Sequence, residues 1–331
     1  MNVLLTSAGR RTSLLKEFKA AIHRRNGQLF VGDVDGLAPA VYLADKAFRT
    51  PHVKLPEYIP YLLNLVKLHN IGLIVPTIDT ELPVLSSFAS EFRAIGCEAL
   101  ISKESLVHIC GDKWELLQVF HQEGVHVPRS WLPEEVTDFA ALEDVATHLF
   151  VKPRAGSAGQ DTYYAKPDEL PVLLPRVPNP IIQEEIKARE ITIDALFDLN
   201  GQPIHYVPRL RIRTVGGESI QGVTLPDDDI SDWIAHVLRI LSNLGARGPI
   251  TIQAFLTEGE PTLSEVNPRF GGGFPLALAA GGDYPEWILQ MLEGRKMPQR
   301  MGEYQRNLYM TRYYQEIFRE KHCDFYGEAV C

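Results

Sequence analysis

Three clusters of residues in this chain could do chemistry. In the first, a strand-like stretch, Leu149-Phe150-Val151-Lys152-Pro153, delivers a lysine into the loop Arg154-Ala155-Gly156-Ser157-Ala158-Gly159-Gln160-Asp161. Small residues let backbone N–H groups approach a polyphosphate, and lysine supplies the counter-charge. A plain tight turn has the same composition. No GxxxxGK followed by Ser or Thr occurs, and no GxGxxG follows the first strand, which excludes a P-loop and a dinucleotide fingerprint. The second cluster is Ser264-Glu265-Val266-Asn267-Pro268-Arg269, followed by Gly271-Gly272-Gly273. Residues two apart on a strand share a face, so Glu265 and Asn267 offer two oxygen donors side by side, the kind a hard cation takes. Gln253, on the preceding strand of the same hairpin, joins them if the connection has an odd number of residues and faces away if it has four. The glycine run lets the backbone come close to a ligand. The third is Gln183-Glu184-Glu185-Ile186, then Arg189-Glu190. A carboxylate there can hold an adenine amino group or a ribose diol; a solvated turn is the alternative.

The elements around these clusters change character along the chain. Val3–Thr6, Leu29–Gly32, Leu73–Pro76 and a short Ala99–Ile101 read as strands, separated by helices from Thr12, as N-cap, to about Arg25 and over 56–69. That alternation predicts a parallel sheet covered on both faces. Polar clusters fall at its strand ends: Gly9-Arg10-Arg11, Asp33 to Asp35, and Asp79 to Glu81. Any one of them could be solvated loop charge, but three successive strand ends make a shared cleft. Asp112 caps a helix from Lys113 to about Glu123. Beyond it, strands 191–199 and 203–212 flank Asn200-Gly201 as a hairpin. A helix covers 229–244, a second hairpin 249–257 and 261–267, a helix 284–293, and the tail 303–331 adds a strand.

The chain has 331 residues, 45% of them hydrophobic and 23% charged, with a net charge of -9. This is globular composition, enough for two or three units at roughly 100 to 200 residues each. The acidic balance argues against a sequence-independent grip on nucleic acid. No apolar run reaches the roughly 20 residues that span a bilayer. Cys97, Cys110, Cys323 and Cys331 lack metal-ligand spacing and read as reduced thiols of a cytoplasmic protein without a secretory leader. The ten histidines are scattered, with no HExxH pair, and no Ser-His-Asp or cysteine nucleophile stands out.

Taken in order, these features resemble the ATP-grasp superfamily, and in particular one half of a carbamoyl phosphate synthase large subunit, over nearly the whole chain. Glu265-Val266-Asn267-Pro268-Arg269 is similar to that family's metal and phosphate motif, and Gly111-Asp112-Lys113 to the Asp-Lys that opens its nucleotide domain. The resemblance implies an α/β plus α+β fold. A Rossmann-like, parallel-sheet pre-ATP-grasp domain would span 1–110. A two-lobed ATP-grasp domain would span 111–300, with a small lobe of about 111–185 and a large lobe of about 186–300. Residues 301–331 would pack against it. The resemblance also implies site roles: Lys113 and Lys152 on ATP phosphates; residues 154–161, including Gly156, Ser157, Ala158 and Gly159, as the closing loop; Glu184 and Ile186 at adenine; Glu190 at ribose. Gln253, Glu265 and Asn267 would hold Mg2+ or Mn2+. Arg269 would face the γ-phosphate and an acyl phosphate, together with one arginine of the alternating set Arg209, Arg211, Arg213, by preference Arg211.

The implied reaction is Mg-ATP-dependent, ADP-forming ligation of a small carboxylate to an amine or ammonia through an acyl phosphate. A complete carbamoyl phosphate synthase large subunit carries two such halves and this chain has one, which fits a small ligase better. For such a ligase, Arg10 or Arg11 would pair with a substrate carboxylate, and Asp79 or Glu81 with an ammonium. Two rivals stand beside it: a split carbamoyl phosphate synthase subunit that needs a partner chain, and a non-catalytic ATP sensor. A homodimer is compatible with the first reading.

Overall fold

The computed structural model describes residues 1–156 and 159–318. Ser157, Ala158, Cys323 and Cys331 lie outside the described residues. The first sheet contains β1 (Asn2–Thr6), β2 (Leu29–Asp33), β3 (Lys46–Arg49), β4 (Ile71–Pro76) and β5 (Glu98–Ala99). Its order is β3-β2-β1-β4-β5, and every pair is parallel. Val3, Leu4 and Leu5 are wholly buried because helices cover both faces. Val3 and Leu5 pack with Leu15, Phe18 and Ile22 of the helix Thr12–His23. Leu4 faces the other way, toward Tyr58 and Leu62 of the helix Tyr58–His69. Thr12 is the first residue of its helix and not its cap. Arg11 holds the cap position without a side-chain cap bond, which leaves its guanidinium available elsewhere.

Asp112 does cap the helix Lys113–Gln122, accepting from Trp114 N and Glu115 N. Next comes a four-stranded antiparallel sheet of β6 (Ser130–Trp131), β7 (Leu149–Pro153), β8 (Tyr163–Ala165) and β9 (Pro180–Glu184), in the order β6-β9-β7-β8. Its core of Leu149, Val151, Leu170 and Ile182 is separate from the rest of the protein's core.

The third sheet is antiparallel and six-stranded: β10 (Arg189–Phe197), β11 (Pro203–Val215), β12 (Glu218–Thr224), β13 (Gly248–Leu256), β14 (Thr262–Asn267) and β15 (Tyr309–Thr311), ordered β14-β13-β10-β11-β12-β15. The tail strand is β15, which pairs with β12. Asn200-Gly201 lies in the β10–β11 connection, with Gly201 at φ +88°. Ile191, Ile193, Ile250, Ile252 and Val266 share a buried cluster with Ile234, Val237, Leu238 and Leu241 of the helix Ser231–Leu244. The cluster continues into the first sheet, where the Phe18 and Phe270 rings meet edge to face at 5.9 Å. Each such ring contributes roughly 1.5–3 kcal/mol by burial. Arg25 seals the edge of this junction through Glu286 at 2.6 Å and Glu293 at 2.5 Å. Cys97 and Cys110 are free. No helix among the described residues is long and apolar enough to cross a membrane.

Candidate active site

The period-two alternation that buries the odd positions of β10 sends Glu190, Thr192 and Asp194 to the opposite face of the six-stranded sheet. Across the ladder Thr192 pairs with both Arg209 and Gln253, and Asp194 with Thr251. The result is a polar face on the six-stranded sheet, with Thr192, Asp194, Arg209, Thr251 and Gln253 side by side. Whether Gln253 joins Glu265 depends on register. The hairpin end pairs Phe255 with Thr262 and Ala254 with Leu263, which alone would set Gln253 opposite Ser264. A register shift at Gln253/Ala254 sets it opposite Glu265 instead, and Thr251 opposite Asn267. One extra residue in β14 thus puts Gln253, Glu265 and Asn267 on one face. The set supplies a carboxylate and two amide oxygens. All are hard donors, and this chemistry suits Mg2+ completed by phosphate oxygens. Arginines steady the amides: Arg211 Nη1 donates to Gln253 Oε1 at 3.2 Å, and Arg269 Nη2 to Asn267 Oδ1 at 3.3 Å.

On one side of this edge is a cavity of about 330 Å³ between the two antiparallel sheets. It brings together Lys113, Lys152, Gly156, Gly159, Glu184, Ile186, Glu190, Gln253 and Glu265, with Phe150 and Phe255 supplying apolar walls. β7 aims Phe150 and Lys152 into it by turning Leu149 and Val151 to the core. Burial lowers the Lys152 ammonium to about 8, partly offset by Glu265. Asp112 does double duty. Besides capping its helix it holds Arg154 at 2.6 Å, and Lys113 Nζ donates to Gly156 O at 3.0 Å, so the start of the small-residue loop is tied to the helix. The Glu184 carboxylate is taken by Arg129, through Nε at 2.8 Å and the backbone N–H at 2.8 Å. The Glu184 backbone N–H also donates to Arg129 O at 3.0 Å, so both the carboxylate and the N–H of this residue are engaged within the protein. Glu190 is ion-paired with Arg211.

A second cavity of about 380 Å³ shares Gln253, Glu265 and Gly159 with the first and runs toward the strand ends of the parallel sheet. Arg10, Arg11, Asp79, Arg209, Arg211, Asn267 and Arg269 line it. Two expectations change here. Glu81 does not reach the cavity. It is fully buried in the 3-10 turn Asp79–Glu81, bonded to the Tyr58 hydroxyl, and burial raises its carboxyl to about 7. Arg213 leaves the arginine face, because the ladder shifts register between Arg211 and Arg213 and exposes it. The glycine run lines this cavity and also lies close to the protein's own side chains. A Cβ on Gly271 would lie 2.7 Å from Thr251 Oγ1, and one on Gly273 2.4 Å from the Arg209 guanidinium. Sequence reasoning passed over Asp194, which holds the buried Arg209 at 2.7 Å, and Glu218. Two polar residues within the otherwise apolar run Ile191–Phe197 were the available signal.

Comparison with known proteins bears on both halves of this arrangement. Residues 3–100 match a family model described as PylC-like, N-terminal domain. Residues 176–315 match one described as ATP-grasp in the biosynthetic pathway with Ter operon. A curated D-alanine–D-alanine ligase of Mycolicibacterium smegmatis is 28% identical over 187 residues, 48% of this chain and 50% of that protein. The chain thus spans about half the length of this curated relative. Among solved structures, the biotin carboxylase domain of Hydrogenobacter thermophilus 2-oxoglutarate carboxylase, in complex with MgADP, ADP and bicarbonate, superposes with a TM-score of 0.76 at 16% identity, covering 93% of this chain and 73% of that one. Staphylococcus aureus N5-carboxyaminoimidazole synthetase, complexed with ADP, does so with a TM-score of 0.70 at 13% identity, covering 90% and 78%. At such identities the likeness is one of fold. The chain is thus similar to a PylC-like N-terminal domain over residues 3–100 and to an ATP-grasp model over 176–315, and it shares its fold with biotin carboxylase and N5-carboxyaminoimidazole synthetase structures along nearly its full length.

Proposed function

We propose that the chain is an ADP-forming ligase that activates a small carboxylic acid as its acyl phosphate and passes the acyl group to an amine or ammonia. The observation that carries this reading is the pair of cavities. A nucleotide-sized slot with lysines and a small-residue loop opens, across the Gln253–Glu265–Asn267 edge, onto an arginine-lined chamber. That is the order of parts that phosphoryl transfer from ATP to an acid requires. The catalysis asked of the protein is mainly positioning and charge neutralisation.

In this account Lys113, Lys152 and the backbone of 154–161 hold the ATP phosphates. The Glu184 carbonyl and the Ile186 backbone read adenine. Glu190 holds ribose hydroxyls with the oxygen not used by Arg211. Gln253, Glu265 and Asn267 would hold Mg2+, which would supply charge neutralisation for the phosphoryl transfer. A substrate carboxylate oxygen, placed by the chamber's arginines, attacks the γ-phosphorus and ADP leaves. Arg269 and Arg211 bear the charge that develops on the transferred phosphoryl group. The amine nitrogen then attacks the acyl carbon, phosphate departs with its electron pair, and the ammonium loses a proton to solvent. The working units of this account are a domain of residues 1–110 and one of 111–300, with a small lobe of about 111–185 and a large lobe of about 186–300, and 301–331 is a C-terminal segment of the latter.

The narrower likeness to carbamoyl phosphate synthase is a second version of the same chemistry, with bicarbonate and ammonia as substrates. A chamber of about 380 Å³ is larger than bicarbonate needs, which favours a bigger acid. The test is Mg-dependent release of ADP and phosphate by the pure protein. It would use a panel of amino acids, small acids and bicarbonate, each with and without ammonia or an amine. Turnover confined to one acid–amine pair supports the ligase. Turnover with bicarbonate and ammonia alone moves the assignment. ATP binding without turnover for any pair counts against a ligase acting alone and favours a missing partner chain or a non-catalytic sensor.

A further inference from the structure

Arg269 leaves β14 beside the candidate metal edge with a side chain only 12% exposed. Its Nη2 donates to Asp79 Oδ2 at 2.5 Å, and Nη1 to Phe270 O at 3.1 Å. Its Nε is buried and has no partner among the described residues. Asp79 comes from the other side of the chamber, in the turn that follows β4. Arg11 lies in the same wall and donates from Nη2 to Thr77 O at 3.1 Å. Its guanidinium is lowered to about 10, by burial first and by Arg269 second, with Glu218 and Asp79 opposing. Two guanidinium groups that act on each other in one partly buried wall need an anion near them. Here Glu218 and Asp79 both act on Arg11, and Asp79 is the one bonded to Arg269.

A carboxylate in that position has a consequence for any anion meant to meet Arg269. A substrate oxygen and Asp79 competing for one guanidinium edge repel each other, so one must yield. An ammonium docked on Asp79 would instead crowd a third cation against Arg11 and Arg269. We infer that Asp79 is a placeholder anion, which holds Arg269 until an entering carboxylate or phosphoryl oxygen displaces it. This deepens the ligase reading, on which it rests for the identity of the anion, and it replaces the expectation that Asp79 receives a substrate ammonium. The exchange makes Arg269 available to ATP chemistry only when an anion strong enough to displace Asp79 has entered.

The experiment uses the full chain, with orthophosphate as the probe and calorimetric titration as the readout. Asp79→Asn keeps an acceptor oxygen for Arg269 and removes the charge. Asp79→Ser does the same with less bulk, in case the amide disturbs the turn. Loss of one negative charge a few ångströms away, at an effective dielectric of about 20, tightens phosphate binding by about tenfold or more. That gain disappears when Arg269→Ala is added. Unchanged or weaker binding in both variants overturns the inference, as does a gain that survives Arg269→Ala. If the gain depends on Arg269 but no acid supports ADP release, the placeholder stands and the ligase reading falls.

Discussion

Lys152 offers a test of how the nucleotide slot works. Its ammonium falls from the usual 10.5 to about 8, chiefly because burial strips water from it. That difference corresponds to about 3 kcal/mol, the cost of keeping the group charged with no phosphate beside it. The unfolded chain titrates near 10.5, so between about 8 and 10.5 it binds more protons than the folded protein. Stability therefore rises with pH through that window, and the full penalty applies below it. A polyphosphate would reverse the shift. At pH 8 about half of the Lys152 side chains are neutral, so binding Mg-ADP should take up as much as about half a proton per site, falling toward zero by pH 6. Titration calorimetry in two buffers of different ionisation enthalpy reads this number directly. Lys152→Met should abolish the uptake, weaken nucleotide binding and raise stability at pH 7 by up to about 3 kcal/mol. Equal heats in the two buffers at pH 8, or the same uptake in the methionine variant, would refute the argument that Lys152 is the phosphate cation of this slot.

Other consequences follow from the same geometry. Gly273→Ala puts a Cβ 2.4 Å from the Arg209 guanidinium, so it should displace Arg209 from Asp194 and cost about 1–3 kcal/mol, read by denaturant unfolding. Glu286 is lowered to about 2, first by its hydrogen bond to Arg25. Its stabilisation is present above about 4.5 and lost as pH falls toward 2. After solvent screening it is about 1–2 kcal/mol, so Glu286→Gln should flatten the acid limb of the stability profile. Glu81 titrates the other way. With its carboxyl raised to about 7 by burial, its contribution is present below about 4.5 and declines as pH rises to 7. Glu81→Gln should therefore change stability little at pH 5 and raise it at pH 8, as thermal melts would show.

The contrast between Glu81 and Glu265 shows how far the sequence could be read. Glu265 and Asn267 were legible because strand periodicity fixes which side chains share a face. Glu81 was not, because the three-residue turn Asp79–Glu81 sends neighbouring acids in opposite directions, one to the chamber and one beneath the sheet. Gln253 depended on a single shift in register that no hairpin signal announces. The parallel sheet was visible in its buried runs, except for β3, where Lys46-Ala47-Phe48-Arg49 has only two apolar residues between two cations and pairs only at the edge. Ion pairs such as Asp79–Arg269, 190 residues apart, arise from how the first sheet packs on the third, and local patterns carry no record of that.

The acyl phosphate is the centre of the account, and oxygen-18 in the substrate carboxylate tests it. Once an acid–amine pair that supports ADP release is known, the account predicts one labelled oxygen in each phosphate released. Unlabelled phosphate, or AMP and pyrophosphate in place of ADP and phosphate, would contradict it.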